Sequence, residues 1–133
     1  MKTLLLILSL TFITTNAYAE SITKWTSYMS LKDGTHYFYA HSSIKRNGNK
    51  VRVWHYVNVP PDNMKAKSFN VFSMQSLDEF DCVNETSKNL QSAGFSKQNL
   101  EGDSKDITVP NPTIYYISPD SVESFLMLLV CKK

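Results

Sequence analysis

Cysteine and glycine are scarce in this chain of 133 residues, which has two cysteines, four glycines and five prolines. Two cysteines cannot furnish a four-ligand zinc site, and the scattered glycines leave no phosphate-cradling loop. Charge of one sign is lacking too. Fourteen Lys+Arg against twelve Asp+Glu give a formal net charge of +2, too little for the broad basic field that holds nucleic acid. Charged residues at 20% and hydrophobics at 42% nevertheless describe a globular chain. No apolar run reaches the ~20 residues of a membrane span.

The longest apolar run, residues 4–13, follows Met1-Lys2 and leads into Ala17-Tyr18-Ala19. A positive start, an apolar centre and a small-x-small end make a secretory signal peptide. Residues 1–19 are therefore read as the leader and residues 20–133 as one domain. Cleavage leaves 114 residues with a net charge of +1, since Lys2 departs with the leader. No cysteine lies at the cleavage point to carry a lipid. The expected product is exported, periplasmic or secreted, with no transmembrane segment. Export governs how Cys82 and Cys131 read: an even count in an oxidising compartment suggests one disulfide. Two free thiols are the alternative.

The domain reads as strands followed by one helix. Residues 24–29 and 35–39 are aromatic-rich strand candidates on either side of the Asp33-Gly34 turn. Residues 40–43 form a break, and Asn47-Gly48 marks a hairpin. Residues 50–59 alternate cleanly, with Val51, Val53, His55, Val57 and Val59 on one face. Arg52, Trp54, Tyr56 and Asn58 take the other, so the strand is covered at least partly on both sides. Residues 68–84 extend again, with a bulge or bend from Leu77 onward. Residues 86–95 are a weaker strand candidate, residues 96–112 a long polar loop, and residues 113–117 a last extended piece. Ser118 then reads as a helix cap, with Pro119 and Asp120 in the first turn. Val122, Phe125, Leu126, Leu129 and Val130 recur at helical spacing. The run 125–130 is apolar nearly all round, which predicts burial on more than one side. Lys132 and Lys133 suit the negative end of this helix.

Catalytic signatures are missing. His36, His41 and His55 lack the short paired spacing of metal ligands, and His55, on a valine face, reads as a hydrogen-bonded core histidine. His41-Ser42-Ser43 has no nucleophile elbow; hydroxyls in a turn explain the serines. Asp78, Glu79, Asp81 and Glu85 have no EF-hand pattern and read as a solvated acidic edge. The protein is read as a non-enzyme without a cofactor or metal. What remains is binding chemistry. Lys45, Arg46, Lys50 and Arg52 cluster on one hairpin, beside Trp54 and Tyr56 of the same strand. Cations and aromatics together suit an acidic partner such as a glycosaminoglycan or an acidic protein surface; a solvated hairpin that discourages edge pairing and aromatics packed in the core are the plainer readings.

Residues 37–54, from Tyr37-Phe38-Tyr39 through His41-Ser42-Ser43-Ile44 and the basic hairpin to Val51-Arg52-Val53-Trp54, resemble the surface-adhesin protein E family of Gram-negative bacteria. Glu79-Phe80-Asp81-Cys82 resembles its Asp-Cys element, and Ser118-Pro119-Asp120-Ser121 with Val130-Cys131 its final helix. The order holds from Trp25 to Cys131. The resemblance implies an α+β domain: one antiparallel sheet of about six strands, with a C-terminal helix packed on it and held by a disulfide. It also implies frequent dimerisation, and binding of host extracellular-matrix or plasma proteins. A periplasmic structural or envelope-assembly protein is the second reading.

Overall fold

The computed structural model describes residues 23–132. The leader expected over residues 1–19, its cleavage point and Lys133 lie outside the described residues.

Among the described residues eight strands and two α-helices follow one another. They are β1 (Thr26–Ser30), β2 (His36–Tyr39), β3 (Lys45–Asn47), β4 (Lys50–Asn58), α1 (Met64–Phe69), β5 (Ser73–Asp81), β6 (Thr86–Phe95), β7 (Ser104–Asp106), β8 (Tyr115–Tyr116) and α2 (Val122–Val130). All strand pairs are antiparallel, in the order β1-β2-β4-β5-β6-β7, with β3 also on β4 and β8 also on β6. β2 pairs residues 55–58 of β4 and β3 pairs residues 50–52, so both lie along one edge of it. Likewise β7 and β8 share one edge of β6. Eight segments thus fill six positions, which is the six-stranded sheet expected.

The break between β2 and β3 is a 3-10 turn, His41–Ser43. Ala40 is fully buried, and the Ser43 hydroxyl donates to its carbonyl at 2.7 Å. The same hydroxyl accepts from the Trp54 amide at 2.9 Å. A serine side chain thus fills the gap that the turn leaves in the ladder. In the β3–β4 hairpin Gly48 stands at φ +60°, the left-handed geometry that an Asn-Gly turn supplies.

The two faces of β4 are covered at opposite ends. Val51 and Val53 are buried on the side where α2 lies, with Phe80, Leu126, Met127 and Val130. Further along, Tyr56 is buried on the other side, stacked on Phe38 at 4.6 Å between centroids and met edge-on by Trp25 at 4.9 Å. The disulfide Cys82–Cys131 forms beside this core, joining the end of β5 to the end of α2. Tyr115 of β8 donates to Glu123 of α2 at 2.6 Å. Burial first, and then this bond, push its phenol up to about 12.

Four local expectations change. The extended segment expected from residue 68 begins only at Ser73, because Ser68 and Phe69 finish α1. The Asn63 carboxamide caps that helix at the Ala66 amide, 2.9 Å, and Asn70 ends it in the left-handed region at φ 51°. The cap of α2 is Ser121, not Ser118: Asp120 sits at φ 59° and cannot be helical, while the Ser121 hydroxyl accepts from Ser124. Glu123 therefore takes the first-turn place expected for Asp120. Burial of α2 is one-sided, since Phe125 and Leu128 remain exposed at 43% and 57%. The irregularity expected near Leu77 occurs there, but the extra residue is Leu90 of the partner strand, between the pairs Leu77–Gln91 and Asp78–Asn89.

The long loop is tied to the sheet by polar groups. The Asn58 carboxamide donates to Asn99 and accepts from its amide, at 2.7 and 2.8 Å. The buried Ser73 hydroxyl donates to the Lys97 carbonyl and accepts from the Leu100 amide. Within this stretch β7 adds the short strand that the polar sequence concealed. No helix among the described residues is long and apolar enough to cross a membrane.

Candidate binding surface

Strand alternation sorts the basic hairpin onto two sides. Lys45 is paired with Arg52, and Asn47 with Lys50, so these project together on the face away from α2. Arg46 is paired with Val51 and turns toward the helix, where its Nη2 donates to the Lys132 carbonyl. It thereby satisfies a backbone oxygen just past the end of α2, where cations are favoured.

Glu79 of β5 stands in the middle of the outer cluster. Its Oε2 accepts from Arg52 Nε at 2.7 Å. Its Oε1 lies 3.8 Å from both Lys50 and Lys88. The hydrogen bond from Arg52 is the main force holding the Glu79 carboxyl below its usual value; burial works against it, and the charges of Arg52, Lys88 and Lys50 add to it. One carboxylate with only 9% of its side chain exposed thus meets three cations. Since Lys50 and Arg52 keep 48% and 56% of their side chains exposed, the surface stays positive. Lys45, Arg46, Asn47, Lys50, Arg52 and Glu79 line a cavity of about 200 Å³. A concavity with several ammonium and guanidinium donors suits a carboxylate or sulfate carried by a partner.

Of the two aromatics expected in this surface, Trp54 is half-buried beside Arg52 on the same face. Tyr56 lies further along that face but is only 5% exposed, covered by Phe38 and Trp25. Two members escaped the sequence reading: Glu79, assigned there to a solvated edge, and Lys88. Their signal is cross-strand register, with Arg52 opposite Glu79 and Glu79 opposite Lys88, which exists only once three strands are aligned.

The acidic stretch is accordingly divided: Glu85 is exposed and Asp81 lies at the surface as expected, whereas Asp78 and Glu79 do not. Asp78 and Glu79 are buried at 4% and 8% and point to opposite faces. Asp78 Oδ2 meets His55 Nε2 at 2.7 Å, and its Oδ1 accepts from Asn89 at 2.7 Å. Asn89 accepts in turn from Ser92, whose hydroxyl is 2.9 Å from that of Ser76. This chain of hydrogen bonds satisfies polar groups beneath the sheet, and His55 is the bonded core histidine expected. His36 bonds Ser30 at 2.9 Å and His41 meets Tyr39 edge-on. Among the described residues no three His, Cys, Asp or Glu side chains gather as metal ligands would.

Comparison with known proteins bears on the fold. The chain is similar in fold to crystal structures of Haemophilus influenzae protein E. For the selenomethionine form the identity is 14% and the TM-score 0.58, covering 79% of this chain and 84% of that one. For crystal form II the values are 14% and 0.55, covering 71% and 79%. For protein E of non-typeable Haemophilus influenzae they are 14% and 0.55, covering 79% and 74%. No curated protein sequence matches significantly. Residues 25–132, nearly all that the structure describes, match the sequence profile of surface-adhesin protein E, and the chain therefore belongs to the surface-adhesin protein E family.

Proposed function

We propose that this protein is an exported, non-enzymatic adhesion module that binds a host extracellular-matrix or plasma protein through the outer face of its basic hairpin. The supporting observation is the cavity of about 200 Å³ bounded by Lys45, Lys50 and Arg52 around Glu79. An acidic side chain of the partner enters this groove and Trp54 supplies apolar contact beside it, with Tyr56 packed further along the same face. Charge at such a site governs association rate and salt dependence more than final affinity. Export by the leader read over residues 1–19 fits this reading, as does membership of a family of surface adhesins.

Binding of the purified protein to immobilised plasma and matrix proteins tests the reading, at low and at physiological salt. Binding should weaken as salt rises and fall at least tenfold in Lys45→Glu/Lys50→Glu. Binding that is indifferent to both removes the hairpin from the mechanism. Digestion of intact cells by external protease shows whether the protein reaches the cell surface.

One observation favours a second reading, a periplasmic assembly factor or homodimer working through a sheet edge. Among the described residues strand β1 is hydrogen-bonded on one side only, and an edge of this kind can pair with another chain. Light scattering with a Ser27→Pro variant distinguishes it: a dimer that dissociates on this change would use the β1 edge.

A further inference from the structure

A surface helix normally buries an apolar stripe, and α1 does not. Of its six residues only Ala66 is buried. Met64 and Phe69 are 76% and 61% exposed, two protruding apolar side chains on one short helix. Lys65 and Lys67 are exposed between them, and Lys105 of β7 places its Nζ 3.1 Å from the Phe69 carbonyl. Three ammonium groups therefore surround two protruding apolar side chains. The helix itself carries no carboxylate; Asp62 precedes it by two positions. Beside it runs an apolar groove of about 250 Å³, lined by Val59, Ala66, Phe69 and Val71 with Asn63 and Lys65.

We propose that α1, with Lys105, is a contact site for an anionic phospholipid surface. The protein has no helix among its described residues that spans a bilayer, so the contact would be peripheral. Lysine heads meet lipid phosphates while their stems, with Met64 and Phe69, enter the headgroup boundary. The groove gives displaced acyl carbons a place beside Ala66 and Val71. Charge complementarity selects a membrane: three lysines against the one nearby carboxylate, Asp62, flank the apolar groups, a cationic balance that interfacial anchors share. The hairpin groove belongs to a separate part of the chain, so this site stands independently of the proposed adhesion.

Cosedimentation of the folded chain with vesicles of phosphatidylglycerol and phosphatidylcholine, against pure phosphatidylcholine, tests the site. Binding should require the anionic lipid and weaken with salt. Met64→Ser/Phe69→Ser should lose at least tenfold without any change of charge, and Lys65→Glu/Lys67→Glu should lose at least as much. Lys45→Glu/Lys50→Glu should bind nearly as the parent does. Thermal melting checks that each variant is folded, and the mutated side chains are exposed. Full binding by the Met64/Phe69 variant, or loss confined to the Lys45/Lys50 variant, overturns the proposal. So does equal competition by soluble glycerol phosphate, which would mark an ordinary anion site.

Discussion

Arg52 Nε and Glu79 Oε2 lie 2.7 Å apart across β4 and β5, so one cation of the exposed hairpin is bound to a carboxylate that is nearly buried. The pair makes Glu79 a restraint on the charge of the surface as well as a structural group. Glu79→Gln keeps an acceptor for Arg52 and removes the negative charge. Binding to an acidic partner should strengthen severalfold, while stability falls by about 1 kcal/mol. A titration at two salt concentrations, with urea denaturation alongside, measures both; weaker binding would show that Glu79 itself touches the partner.

Acid should weaken the fold through the same carboxylate. Its folded value is held below the usual 4.5, chiefly by the Arg52 hydrogen bond. A depressed carboxyl binds its proton less readily when folded, so its contribution is full above the unfolded value. It is lost as pH falls through the lower folded value. Urea midpoints should therefore decline below about pH 4.5, and Glu79→Gln should decline less steeply. Parallel curves for parent and variant would remove Glu79 from the acid response.

Cys82 and Cys131 close a loop with a sequence separation of 49. In the chain-entropy model, releasing a loop of that length from its cross-link costs about 4 kcal/mol. Cys82→Ser/Cys131→Ser should lower the denaturation free energy by about that amount. Far-ultraviolet dichroism at low temperature should stay close to the parent if the sheet survives without the link. Unchanged stability would mean that core packing and hydrogen bonds hold α2 without the cross-link.

Asp78 joins His55 and Asn89 where almost no water reaches. Asp78→Ala leaves both partners without their acceptor, and stability should fall by about 2–4 kcal/mol. Asp78→Asn, which keeps one acceptor, should fall less. Equal losses in the two variants would assign the effect to packing volume.

The parts of the fold that were legible in the sequence rest on short-range signals. Alternating Val51 and Val53 marked a buried strand face, Asn47-Gly48 a tight hairpin, and Leu126 and Val130 a helix with an apolar side. Two cysteines in an exported context marked a disulfide. Each follows from backbone periodicity or local geometry, which neighbouring residues set among themselves. The basic hairpin was visible for the same reason.

Tertiary structure decided what those residues face. Glu79 and Lys88 join the hairpin only through register across β4, β5 and β6, between residues far apart in the chain. Burial of Asp78, removal of Tyr56 from the surface and exposure of Phe125 also depend on which elements pack above them. Ser118 and Ser121 are equally good caps by composition, and the left-handed Asp120 chose between them. The small net charge by itself pointed away from nucleic acid, and the hairpin cations were already neighbours in the chain; which distant charges balance them is a property of the folded sheet, because strand pairing, and not composition, brings Glu79 and Lys88 within Coulomb range.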